Sequence, residues 1–490
     1  MRRLAPLVKR VVRYLAVAVL GFVVGVAAIY VYMVWGGPPL QVWHTAELTE
    51  EFTAGEVRTF DDYRRLEERL FAQLDEEVYA LTETGTEFAL ARYTAGSSAD
   101  PRSRKPDWNR SFELPAEAPI GGVLLLHGMT DSPYSLRALG ERLSERGYWV
   151  IGLRLPGHGT APSGMTTITW EDMAAAVRLA MEHLESKLKG GAIHVFGYST
   201  GAALALNHVL DAMDGAPGPV PASLVLISPA IGVTPAAALA GWKCRLAAVP
   251  GLQKFAWTRI VPEFDPYKYN SFATNAGYQV HRLTRSVAGR VETRARSRPI
   301  VGFPPTLVFL STADATVSVD AVIDNLLEHL APEGHELVLF DINRSRVRTT
   351  LLVADPGPLT ARLLANAALP FRLTLIANAS DESAALVRRI RAPMSAEATT
   401  EPLGLTWPVG LISLSHVALP IPPDDPLYGR QRPEDDGALY LGQIDFRGEQ
   451  GLLKFPADWL MRLRYNPFYG LLEDRVLEWL DGVGDGDGED

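Results

Sequence analysis

The sequence predicts an α/β fold with a mostly parallel, doubly wound sheet, and three observations support this prediction. From Ile120 onward, short apolar segments typical of buried strands alternate with longer segments at helical spacing. The chain has 490 residues, of which 47% are hydrophobic and 21% charged, so it can bury a large core. A glycine-rich turn at Gly197–Gly201 joins one apolar segment directly to a helix. We expect a helical lid, a C-terminal insertion and an N-terminal transmembrane helix to accompany this sheet.

The predicted elements follow one another in the order that a parallel sheet requires. The predicted strands are short and apolar: Val123–Leu126, Trp149–Leu155, Ala192–Phe196, Ser223–Ser228, Thr306–Leu310 and Glu336–Phe340. The predicted helices have helix-forming residues at amphipathic spacing: one from about Ser132, Trp170–Leu188 and Ala202–Leu210. Residues 116–480 are therefore expected to form one α/β domain.

The N-terminus contains an uncharged apolar segment at residues 14–35, preceded by five basic residues within 1–13. A helix of this length extends about 33 Å, enough to cross a bilayer. A cleaved signal peptide is the alternative, but the segment stays apolar beyond the small residues Val26-Ala27-Ala28. We therefore expect an uncleaved single-pass anchor, with its basic N-terminus in the cytoplasm and the folded domain outside, in the periplasm if the source is bacterial.

Four further regions are expected around the α/β domain. Residues 36–115 form a juxtamembrane region whose charged helix, starting near Asp61, either docks on the domain or acts as a spacer. Residues 234–304 contain two tryptophans, many arginines and no obvious core strand, which favours a helical lid. Residues 342–408 are interpreted as an insertion with strands at Thr349–Val353 and Phe371–Ile376 and a helix between them. The acidic tail 481–490 is predicted to be disordered.

Composition excludes several classes of function. The net charge is −10, and beyond residue 13 the chain carries 42 basic against 57 acidic residues, which argues against nucleic-acid binding. The single cysteine, Cys244, rules out an intramolecular disulfide. Because the sequence has no H-E-x-x-H motif, cysteine cluster, G-x-G-x-x-G motif or P-loop, we expect neither a metal nor a nucleotide cofactor. No feature of the sequence defines the oligomeric state.

The turn Gly197-Tyr198-Ser199-Thr200-Gly201 is the strongest functional signal in the chain. A G-x-S-x-G pentapeptide alone is often an ordinary turn. Between a buried strand and a helix it is typical of a nucleophile elbow, in which two glycines allow a sharp turn that exposes the serine hydroxyl. We therefore expect Ser199 to be a catalytic nucleophile.

A serine nucleophile needs a base, and four of the ten histidines follow Ser199 at a sufficient distance: His281, His329, His335 and His416. His281 falls in the expected lid, His329 in a helical pattern and His335 at the start of a strand. His416 follows the apolar run Val409–Leu414, which we interpret as a strand. His416 would therefore lie just past the carboxyl end of a strand, where catalytic groups collect in open parallel sheets. His416 is therefore the predicted general base.

The acid that orients this base is expected in a loop after an earlier strand. Asp314 lies in the segment Ser311–Val317, which directly follows Thr306–Leu310, whereas helix capping, its alternative role, suits Ser318 better. Asp341 is the reserve candidate. The backbone N–H groups of Met129 and Thr200 are the expected donors to the oxyanion. His127 and His158 are expected to support loop geometry.

Together these motifs resemble the α/β-hydrolase superfamily, especially its monoacylglycerol lipases, bacterial carboxylesterases and serine aminopeptidase-like hydrolases. The resemblance rests on His127-Gly128-Met129-Thr130, Pro156-Gly157-His158-Gly159, the elbow, Asp314 and His416, and covers residues 116–330 before resuming near His416. It implies a Ser-Asp-His triad, a two-amide oxyanion hole, a mobile lid and no cofactor. Asp314 and His416 are 102 residues apart, further than is usual in the superfamily, which the insertion at 342–408 would explain.

The expected function is hydrolysis of acyl esters, with monoacylglycerol-like lipids as the preferred substrate class because of the apolar lid and the membrane anchor. A peptidase or an acyltransferase would use the same triad. A membrane-tethered, non-catalytic binding module is the third alternative, although no triad member is missing from the sequence.

Overall fold

The computed structural model describes residues 4–50, 56–232, 240–347, 349–432, 434, 439–443 and 461–484. Within these ranges, a sheet of ten strands forms the centre of the molecule, in the order β1-β3-β2-β4-β5-β8-β9-β10-β11-β12. Its strands are β1 (Phe112–Leu114), β2 (Gly122–Leu126), β3 (Trp149–Leu153), β4 (Ile193–Tyr198), β5 (Ser223–Ile227), β8 (Thr306–Ser311), β9 (His335–Phe340), β10 (Arg372–Asn378), β11 (Ala385–Arg391) and β12 (Ala398–Thr406). Two further short strands, β6 (Trp257–Arg259) and β7 (Phe272–Ala273), pair only with each other.

The seven strands β3, β2, β4, β5, β8, β9 and β10 are parallel to one another. At the two edges, β1 pairs antiparallel with β3, and β11 pairs antiparallel with both β10 and β12. The prediction of a mostly parallel sheet is therefore confirmed. Every residue of β2, β4, β5, β8 and β9 is buried, as expected for strands covered on both faces. Their nearly continuous apolar sequences reflect this burial.

Helices cover both faces of the sheet and form two separate apolar layers. One face is covered by α3, α5, α6, α8, α9 and α10, and the other by α4 and α11. The helices are α1 (Leu4–Trp35), α2 (Val42–Thr45), α3 (Phe60–Glu77), α4 (Arg137–Glu145), α5 (Trp170–Leu188), α6 (Thr200–Met213), α7 (Ala240–Ala247), α8 (Thr274–Ala295), α9 (Val319–Asn325), α10 (Gly357–Ala365) and α11 (Tyr469–Gly484).

The N-terminal helix α1 contains a segment, Lys9–Ala28, that is long and apolar enough to cross a membrane, with a mean hydropathy of 2.2. None of this segment is buried against the rest of the protein. Length and composition therefore make it a candidate anchor, and a signal sequence has the same properties.

The juxtamembrane region docks on the α/β domain and is not a separate spacer. The apolar side of α3, including Tyr63 and Leu70, belongs to the same core as the central sheet. The Tyr63 hydroxyl donates a hydrogen bond of 2.6 Å to the Arg154 carbonyl, and Glu67 pairs with the buried Arg154 guanidinium at 2.9 Å. Strand β1, from the same region, pairs with β3 at the sheet edge.

The region predicted as an insertion differs in part from expectation. The prediction of a strand at Thr349–Val353 is wrong, since Thr349–Leu351 form a turn of 3₁₀ helix. The predicted strand Phe371–Ile376 corresponds to β10, with α10 before it as expected. Strands β11 and β12 escaped prediction because arginines interrupt the first and the second is exposed along most of its length.

The region predicted as a lid contains the helices α7 and α8, but α8 is part of the body of the domain. Its residues Val280, Leu283, Val287 and Val291 belong to the main apolar core. The hairpin of β6 and β7 precedes α8, and residues 234–239 lie outside the described part of the chain. The prediction of a disordered tail is wrong for residues 481–484, which end α11, and residues 485–490 also lie outside the described part.

Candidate active site

Ser199 lies at the sharp turn between β4 and α6, with φ of 54° and ψ of −113°. Residues other than glycine rarely adopt this backbone conformation. Close packing around the turn must therefore hold Ser199 in it. A Cβ at Gly197 would lie 2.4 Å from Ala202 Cα, and a Cβ at Gly201 would lie 2.1 Å from the Leu126 carbonyl oxygen. Both glycines are therefore required sterically, which accounts for the G-x-S-x-G pattern.

His416 and Asp314, 102 residues apart in the chain, are in direct contact. His416 Nδ1 lies 2.7 Å from Asp314 Oδ2, and both side chains are almost completely buried. The other carboxylate oxygen of Asp314 accepts N–H groups from Thr316 at 2.8 Å and Val317 at 3.0 Å. Burial by itself raises the pKa of Asp314, but the hydrogen bond and charge of His416 and these two N–H groups outweigh it and lower the pKa below its ordinary value. The carboxylate is therefore ionised and fixed in orientation.

The segment that carries His416 is a loop with turns at 409–410 and 416–420, so the prediction of a strand at Val409–Leu414 is wrong. Two hydrogen bonds tie this loop to the carboxyl ends of the sheet strands. Asn343 N–H donates to the Ile412 carbonyl at 2.7 Å, and the Ser311 hydroxyl donates to the Leu414 carbonyl at 2.9 Å. His416 thus reaches the carboxyl edge of the sheet as expected, by a different local structure.

Ser199, His416, Met129 and Thr200 all line one pocket of about 420 Å³ above the carboxyl ends of the strands. The structure therefore brings the predicted nucleophile, base and oxyanion donors to one cavity, and Asp314 stands behind His416. Four cationic side chains that the sequence analysis did not identify also line this pocket: Arg259, Lys268, Arg462 and Arg464. The alternation of arginines at 462 and 464 was the only sequence signal for the last two.

His127 and His158 have structural hydrogen bonds next to this pocket. Leu155 N–H donates to His127 Nε2 at 3.0 Å, so the proton resides on Nδ1, which donates to the Gly128 carbonyl at 2.9 Å. Burial, followed by the neighbouring His158, lowers the pKa of His127 well below its ordinary value. Burial also lowers the pKa of His158 to about 4. Both imidazoles are therefore neutral and support the loops around the site.

The other candidates lie elsewhere. His281 and His329 line a separate surface cavity with the end of α9. His335 is buried at the start of β9, at the opposite edge of the sheet from the carboxyl ends, and burial lowers its pKa to about 4. Asp341, the reserve acid, pairs with Arg344 at 2.8 Å. Among the described residues, no group of three or more His, Cys, Asp or Glu side chains is arranged to hold a metal ion.

Comparisons with known proteins match the part of the chain that contains Ser199. Residues 117–342 match the family described as "Serine aminopeptidase, S33", a match that ends ahead of His416. A thermostable monoacylglycerol lipase from Bacillus sp. (strain H-257) is 28% identical over 221 residues, 45% of this chain and 75% of the lipase.

Two similar solved structures are lipolytic enzymes. A metagenome-derived lipolytic enzyme is 22% identical with a TM-score of 0.38, over 47% of this chain and 87% of that one. The monoacylglycerol lipase of Paleococcus ferrophilus is 19% identical with a TM-score of 0.35, over 47% of this chain and 88% of that one.

The parallel sheet, the elbow at its centre and the family match define the class of protein. The chain belongs to the α/β-hydrolase superfamily. Within that superfamily it is a serine hydrolase, an enzyme, related in sequence to monoacylglycerol lipase.

Proposed function

We propose that this protein is a membrane-anchored hydrolase of acyl esters, with monoacylglycerol-like lipids as its preferred substrate class. The observation that carries the proposal is the 2.7 Å contact of His416 with Asp314, in a pocket that His416 shares with Ser199. The sequence relationship to a monoacylglycerol lipase supports an ester of this kind.

In the proposed reaction, Ser199 Oγ attacks the ester carbonyl while His416 accepts the serine proton at Nε2. The ionised Asp314 holds His416 with its other proton on Nδ1 and stabilises the imidazolium that forms. The N–H groups of Met129 and Thr200 bind the oxyanion of the tetrahedral intermediate. His416 then gives its proton to the leaving alkoxide, and a water molecule, deprotonated by His416, releases the carboxylic acid from the acyl-enzyme.

Replacement of two histidines tests the assignment of the base. His416→Ala is expected to lose essentially all esterase activity, since His416 is the one histidine among the described residues that line the pocket with Ser199. His335→Ala is the matched control, because His335 is equally buried but lies at the other edge of the sheet, and its esterase activity should remain at the wild-type level. Circular dichroism and thermal unfolding would verify that both variants fold. Loss of activity only in His335→Ala would refute the proposed triad.

A peptidase is the second candidate function, because the matched family is described as a serine aminopeptidase. The same triad would cleave an amide if the site accepted a peptide. A panel of matched esters, peptide amides and esters with an added alcohol acceptor distinguishes hydrolase, peptidase and acyltransferase. Hydrolysis of the peptide amide at a rate above that of the matched ester would favour the peptidase.

We also propose that α1 anchors the protein, with its N-terminus in the cytoplasm and the catalytic domain outside. Five basic residues ahead of the apolar segment support this orientation. The chain just after α1 contacts the segment that precedes β6, since Lys254 Nζ donates to the Gly36 carbonyl at 3.0 Å. Protease digestion of intact and of permeabilised cells tests the topology, and digestion of the domain only after permeabilisation of the inner membrane would contradict it.

A further inference from the structure

The pocket that contains Ser199 has a charge opposite to that of the whole protein. The chain has a net charge of −10. Four cationic side chains line the pocket, and none of the described residues that line it is an aspartate or a glutamate. A cleft lined by charge of one sign concentrates ligands of the opposite sign. A neutral monoacylglycerol gives no reason for such a wall, so its charges need another explanation.

Arg464 is the best-defined member of this wall. It is only 8% exposed, which is unusual for an arginine, yet its pairing is incomplete. Its Nη1 lies 3.9 Å from Asp265 Oδ2, beyond hydrogen-bond distance, and its Nε is buried without a hydrogen-bond partner in the described part of the chain. An unsatisfied buried donor is costly, and the Arg464 guanidinium also lines the pocket, where an anion could pair with it.

Arg462 lies two residues before Arg464 and lines the same pocket. None of the hydrogen bonds and ion pairs between described residues involves its guanidinium. It is only half-exposed, so its charge is partly withdrawn from water. Because Arg462 and Arg464 line the same pocket, they can approach a ligand anion together. Guanidinium groups suit this task because their fork of donors matches carboxylate and phosphate oxygens.

The other two cations differ in their position in the wall. Lys268 Nζ lies 2.9 Å from Asp131 Oδ1, a buried carboxylate behind the pocket. The Asp131 carboxylate offsets the charge of Lys268, although Lys268 still lines the pocket. Arg259, at the end of β6, is exposed and adds its charge at the rim. The binding group is therefore formed mainly by Arg462 and Arg464.

We infer that this pocket selects acyl esters that carry a carboxylate or phosphate group near the scissile bond, bound by Arg462 and Arg464. The inference rests on the proposed ester hydrolysis at Ser199 and names its substrate class. Water attacks the acyl-enzyme in the ordinary way, and the anionic group itself takes no part in the chemistry. Its contribution is to hold the ester carbonyl at Ser199 through its contact with the two guanidinium groups.

Matched esters that differ in one charged group provide the test. The purified full-length protein would be assayed in neutral detergent with 1-lauroylglycerol and 1-lauroylglycerol 3-phosphate, and with 4-nitrophenyl butyrate and 4-nitrophenyl hydrogen glutarate. The first pair tests a phosphate and the second a carboxylate. We expect kcat/KM to be at least about tenfold higher for the anionic member of one or both pairs, as charge-assisted hydrogen bonds imply. The pair with the larger ratio identifies the anion.

The variants Arg462→Gln and Arg464→Gln should each lower this anionic-to-neutral ratio about tenfold, mainly through KM. Arg462→Gln keeps the test valid if the buried Arg464→Gln fails to fold. Arg298→Gln, an exposed arginine outside the pocket, is the matched control and should keep the wild-type ratio. A wild-type ratio near one, or a high ratio that persists in both pocket variants, would overturn the inference while leaving ester hydrolysis intact. Absence of fluorophosphonate labelling and of hydrolysis of all four esters would refute the proposed function, and this inference with it.

Discussion

Replacement of Asp314 by asparagine would separate the role of its charge from its role in folding. The two N–H groups of Thr316 and Val317 bind one carboxylate oxygen, at 2.8 and 3.0 Å, and an asparagine oxygen accepts both equally well. The amide NH₂ would then face His416 Nδ1, which is 2.7 Å from the replaced oxygen. Two donors cannot share this hydrogen bond, so His416 must move its proton to Nε2. In that tautomer it cannot accept a proton from Ser199.

We therefore expect Asp314→Asn to lower kcat by about 10⁴-fold, the effect of a wrong tautomer in a serine triad. This corresponds to about 5 kcal/mol of lost transition-state stabilisation, since each tenfold change equals about 1.4 kcal/mol. The assay is steady-state hydrolysis of a short-chain 4-nitrophenyl ester, accompanied by thermal unfolding to show that the loop is retained. A folded variant with kcat within tenfold of the wild type would refute the reasoning.

Three further predictions test the fold, the first with a matched control substitution. Gly201→Ala places a Cβ 2.1 Å from the Leu126 carbonyl oxygen and should abolish soluble expression or activity. The control Gly289→Ala has open space around its Cβ and should leave the free energy of unfolding unchanged or raise it by up to about 1 kcal/mol. Arg154→Ala leaves two buried glutamates unpaired and should cost about 3–5 kcal/mol in urea unfolding; a loss below 1 kcal/mol would contradict this account. Burial lowers the pKa of His194 from 6.5 to about 4, so the unfolded state binds more protons than the folded state below pH 6.5. The free energy of unfolding should therefore fall as the pH falls from 7 to 5, by about 2 kcal/mol for this residue. His194→Gln should make that pH dependence shallower, and an unchanged dependence would exclude this group as its source.

The parts of the molecule that the sequence predicted well are those determined by local patterns. The elbow is specified within five residues, because a strand, two glycines and a helix impose its geometry together. The apolar runs of the parallel strands are equally direct signals, since burial on both faces removes the need for alternation. Helix α5 accordingly spans the predicted Trp170–Leu188.

The parts that escaped prediction depend on contacts between distant segments. Asp314 and His416 were chosen by chain order, and they do make contact, although the predicted strand before His416 is a loop held by hydrogen bonds from the Asn343 N–H and the Ser311 hydroxyl. Strand β12 is exposed and polar, so no apolar pattern marks it. Arg464 looks like an ordinary surface arginine in the sequence, and only the fold shows that it is buried in the wall of the pocket.

Covalent labelling by a fluorophosphonate measures most directly whether Ser199 is an activated nucleophile. Intact mass spectrometry of the purified protein would compare the wild type with Ser199→Ala, and circular dichroism would verify that both are folded. The proposed triad predicts one phosphonyl adduct on the wild type and none on the variant. A folded wild-type protein that takes up no probe, or a Ser199→Ala variant that is labelled to the same extent, would contradict the assignment of Ser199 as the nucleophile.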